Sequence, residues 1–388
     1  MWNIDFLNAY LKHEYDQGKN WSNNVQVYFR NTTVRDNSIG YIIKADSTQA
    51  GDQVGYFRPN YLGGVEEQFN FNLKKSIYFT GGIVYEFESL SENFSLSHSD
   101  DQHKTPPPPD QPDQIRNNLL SLYSQAQAHF LNYFVFTAGA RQDFSSYYGN
   151  VFTPRFALVY NQNEISAKLL YNEAFRAPRP WDFNSGIGND NLEPEIMKSG
   201  ELFVSYSIGK YWNIESSVYK NSLSQMLTRQ IVDTAGNWRW INRDKVNTTG
   251  VEFGLHYKKQ GFSIFANYAY NMSEDQDGKE LPEISRHVVN AGLSANLYRN
   301  KLFLHLGGHY YGNRKNPKII QSKGNNIIDD AWVFNASLSL LDVRSFDLQL
   351  IADNVLNAKY YHSSNRPPDR YRQAQRSIRL KLTYNLEF

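Results

Sequence analysis

The sequence predicts an all-β fold, a transmembrane antiparallel β-barrel of about seventeen strands. Three observations carry this. Segments that alternate apolar and polar residues recur along the whole chain. Tight turns and long polar loops take turns in joining them. No apolar run reaches the roughly 18 residues that a membrane helix needs, and no segment of comparable length has a helical period.

The last strand is the clearest element. Ile378, Leu380, Leu382, Tyr384, Leu386 and Phe388 share one face, and Arg379, Lys381, Thr383, Asn385 and Glu387 share the other. Side chains alternate along a strand, so this pattern makes one apolar and one polar face. Its length of about 11 residues matches a tilted bilayer span better than a strand of a soluble sandwich. The apolar set is expected to face lipid and Arg379, Lys381 and Asn385 the lumen. Upstream, Trp332, Phe334, Ala336, Leu338 and Leu340 repeat the rhythm, as do Val289 to Leu297, Val251 to Tyr257 and Ile165 to Tyr171.

Tight turns are expected near Lys74, Asn132, Gln162, Lys210, Gln260 and Asn300. Long loops are expected at 39–59, 94–119, 176–197, 275–286, 315–331 and 355–376. Short turns on one side and long loops on the other are the habit of outer-membrane barrels. The 94–119 stretch, with Pro106 to Pro109, reads as an external loop because the strand rhythm resumes unchanged beyond it. Single-chain bacterial barrels have even strand numbers and periplasmic termini. An odd count places Met1 on the outside, and Met1 to Asp5 show no signal-peptide character. The sequence is therefore expected to be an N-terminally truncated barrel domain covering 1–388.

Composition narrows the function. The chain has 388 residues, with Lys+Arg 40 balanced by Asp+Glu 39, so no nucleic-acid partner is expected. The mean hydropathy of −0.60 would suit a soluble protein, but in a barrel only alternate strand residues face lipid. Cysteine is absent, which removes disulfides and thiolate chemistry. Tyr (27) and Phe (24) far exceed Trp (7), as strands and interfacial girdles favour.

His305 and His309 share a strand face with Tyr311, but about 13 Å of strand separates the two imidazoles, too far for one metal. Ser97, His98 and Asp100 lie together in a polar loop, where such clusters arise by chance. There is no phosphate-binding loop and no dinucleotide fingerprint. No catalytic, metal or cofactor site is expected.

The segment 171–206 is the most distinctive. Pro178 and Pro180 end a strand because they donate no ladder hydrogen bond. Gly186 and Gly188 let the loop fold back. Arg176 and Glu195 stand where an ion pair could brace the loop base. These positions read first as structural staples and second as ligand contacts.

The same segment resembles the signature of TonB-dependent receptors. Phe175, Arg176, Ala177 and Pro178 match the family's "FRAP" box, and Asn189, Leu192, Pro194 and Glu195 its "N-x-x-L-x-P-E" box, with Glu201 opening the next strand. Segments 137–160, 247–257, 281–294 and 352–361 resemble the family in order. The aromatic-ended last strand, with Tyr384, Leu386 and Phe388, is similar to the C-terminus that the barrel-assembly machinery reads. The resemblance implies an outer-membrane importer of a ferric siderophore, a related metal chelate or cobalamin. It implies a barrel of roughly 22 strands around a plug, with TonB as the energy-delivering partner, outer-membrane lipid around it and a small nutrient as ligand. Haem ranks low, because residues 176–194 hold no His. No plug or TonB box is found in the sequence. The alternative is a passive porin or structural barrel, which has no reason to carry both boxes.

Overall fold

A computed structural model describes residues 1–18, 20–41, 53–74, 76–99, 104–317, 321, 324, 326–364 and 370–385. The chain divides into two compact units. The first comprises Met1–Ala157, Asn172–Lys198 and Leu223–Asp244, the second Leu158–Tyr171, Ser199–Ser222 and Lys245–Phe388. The first contains β1 (Ile4–Asp16), β2 (Trp21–Tyr41), β3 (Gln53–Arg58), β4 (Tyr61–Lys74), β5 (Ile77–Ser91), β6 (Ser95–His98), β7 (Gln114–Phe130) and β8 (Phe134–Ser145). Residues of β9 (Gly149–Gln162), β10 (Ile165–Arg176), β11 (Glu195–Ile208), β12 (Trp212–Ile231) and β13 (Trp238–Lys259) are shared out between the units. The helix α1 (Pro180–Asn184) belongs to the first.

The second unit continues with β14 (Phe262–Asp275), β15 (His287–Tyr298), β16 (Leu302–Tyr311), β17 (Arg314–Lys315) and β18 (Ile327–Ile328). It ends with β19 (Ala331–Val343), β20 (Phe346–Asp353), β21 (Tyr361–Ser363), β22 (Arg370–Arg372) and β23 (Ser377–Tyr384).

Among the described residues, nineteen strands join one sheet. Two of them are short, β3 with 6 residues and β6 with 4. The remaining seventeen are the long strands that the alternation marks. The two short strands correct the sequence reading, which placed loops at 39–59 and 94–119. β3 pairs with the far end of β2 (Val34↔Arg58 to Tyr41↔Gln53) and β6 pairs with β3. Four to six residues are too few to show a period, so a strand held only by such partners leaves no pattern. The loops 315–331 and 355–376 likewise carry small ladders, β17–β18 and β21–β22. The 176–197 loop holds α1, which the sequence reading did not include.

The two faces of the sheet separate as the alternation requires. In the first unit Val27, Val65, Tyr85, Leu120 and Phe144 stand in register across β2, β4, β5, β7 and β8, and all five are exposed. In the second, Leu304, Leu338, Leu350 and Leu380 form the equivalent row. Leu380, Leu382 and Tyr384 are 69%, 64% and 55% exposed, an apolar stripe that water would penalise and acyl chains would not. On the opposite face of β23, Arg379 pairs with Asp353 at 2.7 Å. Leu386 and Phe388 lie outside the described residues.

The polar face of the first unit carries a hydrogen-bonded network. Tyr28 donates to Glu86 at 2.5 Å and Tyr123 to Glu66 at 2.8 Å. Arg141 grips Asp143 with two bonds of 3.0 Å, and both meet the Ser121 hydroxyl. Gly82 makes room for the Tyr123 ring, since a Cβ there would come within 2.4 Å of it.

Aromatic rings gather at the tight-turn ends of strands: Trp21 with Phe71 at 6.5 Å, Phe130 with Phe134 at 5.2 Å, Trp212 with Tyr257 at 4.6 Å and Phe346 with Tyr384 at 4.8 Å. Such girdles suit the interface between acyl chains and headgroups. The turns themselves use left-handed residues, among them Asn132 (φ 61°), Asn163 (φ 51°) and Asn300 (φ 58°), a conformation that Asn tolerates well.

Candidate functional site

The two boxes come together in the first unit. β10 ends at Arg176, whose Nε pairs with an oxygen of Glu195 at the start of β11. Glu195 is only 3% exposed, and its other oxygen accepts the Leu227 amide at 2.9 Å. Arg176 is 73% exposed, so the pair has one buried and one solvated partner. Phe175 packs against Tyr148 at 5.9 Å. Ala177 is half-buried, and Pro178, Leu192 and Pro194 are buried beside the loop base.

Between the boxes the chain is fastened at each step. Pro180 opens α1, where its missing N–H costs nothing. The buried Asp182 accepts from the Arg179 amide at 2.9 Å and from its guanidinium at 3.0 and 2.9 Å. Phe183 packs against Tyr147 with ring centroids 4.5 Å apart and the planes tilted by 47°. The Ile187 amide donates to Trp238 O at 2.9 Å. Gly186 is left-handed (φ 69°), and a Cβ there would lie 2.0 Å from that same carbonyl. Asn189 donates to Trp240 O at 2.8 Å while its own carbonyl caps the Asn191 amide. Asn242 then holds Glu193 through two backbone bonds.

On the flank of α1 stands a cation that the sequence reading did not single out. Arg58, at the end of β3, lies over the Trp181 ring at 4.1 Å and the Phe94 ring at 4.8 Å. Arg179 lies over the same indole at 4.9 Å. Hydrogen bonding to Asp182 holds Arg179 above its ordinary pKa, whereas burial and the nearby Arg179 charge pull Arg58 below its own. No local motif announces this cluster, because Arg58, Phe94 and Trp181 lie in separate connections.

Elsewhere the weighed residues are separate. Ser294 and the His305 ring are hydrogen-bonded at 2.8 Å, and the His309 ring packs on Tyr311 at 3.9 Å. The Ser97 hydroxyl donates to Pro107 O, and Asp100 lies outside the described residues. Glu201 accepts from Ser217 at 3.0 Å. Among the described residues, no group of three or more His, Asp or Glu is placed to hold a metal.

The family model of the TonB dependent receptor-like β-barrel matches residues 2–357. The chain belongs to that family. The family is one of outer-membrane β-barrels, and this chain shares that fold and place. It is similar to the iron-regulated outer membrane virulence protein of Vibrio cholerae, 26% identical over 240 residues, covering 55% of this chain and 35% of that protein. It is 24% identical over 219 residues to the ferric-pyoverdine 358 receptor of Pseudomonas putida, covering 54% of this chain and 26% of that one. The chain thus spans about a third or less of each relative's length. Among solved structures, the copper transporter OprC superposes with a TM-score of 0.75 at 12% identity, over 98% of this chain and 66% of its own. The ferric citrate transporter FecA, unliganded, gives 0.72 at 16%, over 96% and 60%. Both share the fold.

Proposed function

We propose that the protein is a receptor-transporter for a scarce nutrient held as a metal chelate, a ferric siderophore or a similar complex, with cobalamin in the same class. Import is driven by TonB, reached through a plug domain and TonB box. The family match supports this reading, and the names of the V. cholerae and P. putida relatives supply the link to iron. In this reading the FRAP and N-x-x-L-x-P-E residues are staples that fix the base of a ligand-capturing loop. Buried Glu195, Leu192 and Pro194 set its anchor, and exposed Arg176 is left able to meet a ligand as well. The terminal strand bearing Tyr384, with Leu386 and Phe388 beyond it, is the address read by the barrel-assembly machinery, and its apolar face meets lipid.

The test is deletion of the gene under iron limitation, with uptake of radiolabelled ferric chelates followed in cells with and without TonB. Saturable uptake lost on deleting either partner is the expected result. Uptake that rises linearly with concentration and ignores TonB would identify a passive pore instead.

A further inference from the structure

We infer that Arg58 and Trp181 form an anion subsite that takes a carboxylate of the imported chelate. The inference rests on the import reading and narrows it to carboxylate-bearing complexes.

Three observations point there. First, Arg58 is half-buried, yet no carboxylate among the described residues pairs with it, and its Nε is buried without a hydrogen-bond acceptor. A buried donor left without a partner is costly, more so when charged, so such a group calls for an explanation. Second, the local charge is unbalanced. Arg179 is answered by Asp182, whereas among the described residues Arg58 meets the ring faces of Trp181 and Phe94 and no carboxylate. Cation–π contact offsets part of the desolvation but satisfies none of the N–H groups.

Third, both partners sit on fixed supports. The chain after Arg58 is tied down by Ser91, whose hydroxyl donates to Pro59 O and whose amide donates to the Asn60 side-chain oxygen. Phe94 borders β6, whose Ser95 pairs with Phe57. Trp181 rides on α1, locked by the Arg179–Asp182 bonds and the Phe183–Tyr147 contact. A preorganised guanidinium offers its two outer Nη–H groups as an in-plane pair that matches the two oxygens of a carboxylate. A carboxylate entering beside the indole supplies the missing negative charge. A neutral hydroxamate chelate supplies no such charge.

The experiment uses the full-length receptor in detergent and reads tryptophan fluorescence during titration with two probes, ferric citrate and a neutral ferric trihydroxamate. The wild type is expected to bind ferric citrate. Arg58→Gln should weaken that binding at least tenfold, and Arg58→Lys should weaken it too, because an ammonium lacks the in-plane pair. Binding of the neutral chelate, where present, should be unchanged in both variants. Trp181→Phe, which keeps a ring beneath the guanidinium, serves as a second variant that preserves the fold and should weaken ferric citrate binding less than Arg58→Gln. If Arg58→Gln binds ferric citrate as tightly as the wild type, or if the wild type binds only the neutral chelate, the subsite is overturned while import stands. If neither probe binds, the subsite is overturned as well. TonB-dependent uptake in cells then decides separately whether the import reading survives.

Discussion

The side-chain amide of Asn242 closes a two-bond ring with the backbone of Glu193, accepting its N–H at 2.8 Å and donating to its C=O at 2.7 Å. The same nitrogen reaches Gln225 O at 2.7 Å, so one carboxamide ties β12, β13 and the approach to β11. Replacing it with Leu removes three bonds without changing size much. The expected cost is about 1–3 kcal/mol of local stability. Hydrogen exchange at Glu193 should speed up accordingly, and unchanged protection would show that the ring carries no load.

Gly186→Ala should loosen the same loop from its other side. The left-handed backbone and the Trp238 carbonyl 2.0 Å from the new Cβ both oppose it. The loop must move, breaking the bond from Ile187 to that carbonyl. Faster exchange of the Ile187 amide and new protease cleavage near 186–190 are expected. A variant as protected as the wild type would contradict the geometry.

Arg176→Ala leaves the Glu195 carboxylate buried without its cation, whereas Glu195→Gln keeps an acceptor for the Leu227 amide and removes the buried charge. Arg176→Ala should therefore destabilise the loop base more, by about 1–3 kcal/mol against less than about 1. Thermal unfolding of the two variants in detergent checks the order.

Leu382→Arg and Thr383→Arg place the same charge on opposite faces of β23. The first puts it in the exposed leucine stripe and should cost about 2–4 kcal/mol, and the second should cost much less. Refolding titrations into liposomes measure both. Equal costs would reverse the assignment of faces.

Glu280 gives a pH dependence outside the spanning strands. Burial pushes its carboxyl upward, but hydrogen bonds and charge from Arg286 (2.7 Å) and Lys315 (3.0 Å) outweigh this and hold it below the ordinary value of 4.5. A carboxyl depressed in the folded state contributes stability that is fully present above its unfolded pKa. That contribution is lost as pH falls through the folded value. The Glu280 clasp should thus hold at neutral pH and open below 4.5. Exchange at Leu281 and Glu283, whose amides donate to Ser273 and Lys315, reports it. Protection unchanged down to about pH 3 would sink the idea.

The legible and illegible parts of the sequence divide along physical lines. Ile378 to Tyr384 could be read directly, because a period of two is itself the record of which face meets lipid. The turns at Asn132 and Asn300 were legible because few residues accept their backbone angles. Arg176 and Glu195 were placed at a loop base by Pro178, Pro180 and the spacing of the boxes. β3, β6 and α1 were not, since none is long enough to show a period. The Tyr28–Glu86 bond needs the registers of β2, β4 and β5 together, and Arg58 over Trp181 needs the folded paths of three connections. Neither is written in any local stretch.

The turns that rely on Asn132, Asn163 and Asn300 have a consequence for how such a chain can change over generations. An added residue in a two- or three-residue turn shifts the pairing of the strand that follows, and a shift of one exchanges its faces. For β8, which follows the Asn132 turn, that would deliver Arg141 and Asp143 to the acyl chains and Phe144 to the polar side. Length variation is therefore closed to one end of every strand pair and open at the other, where loops already carry ladders of their own. Recognition can be rewritten there by insertion and deletion while the registers underneath stay as they are.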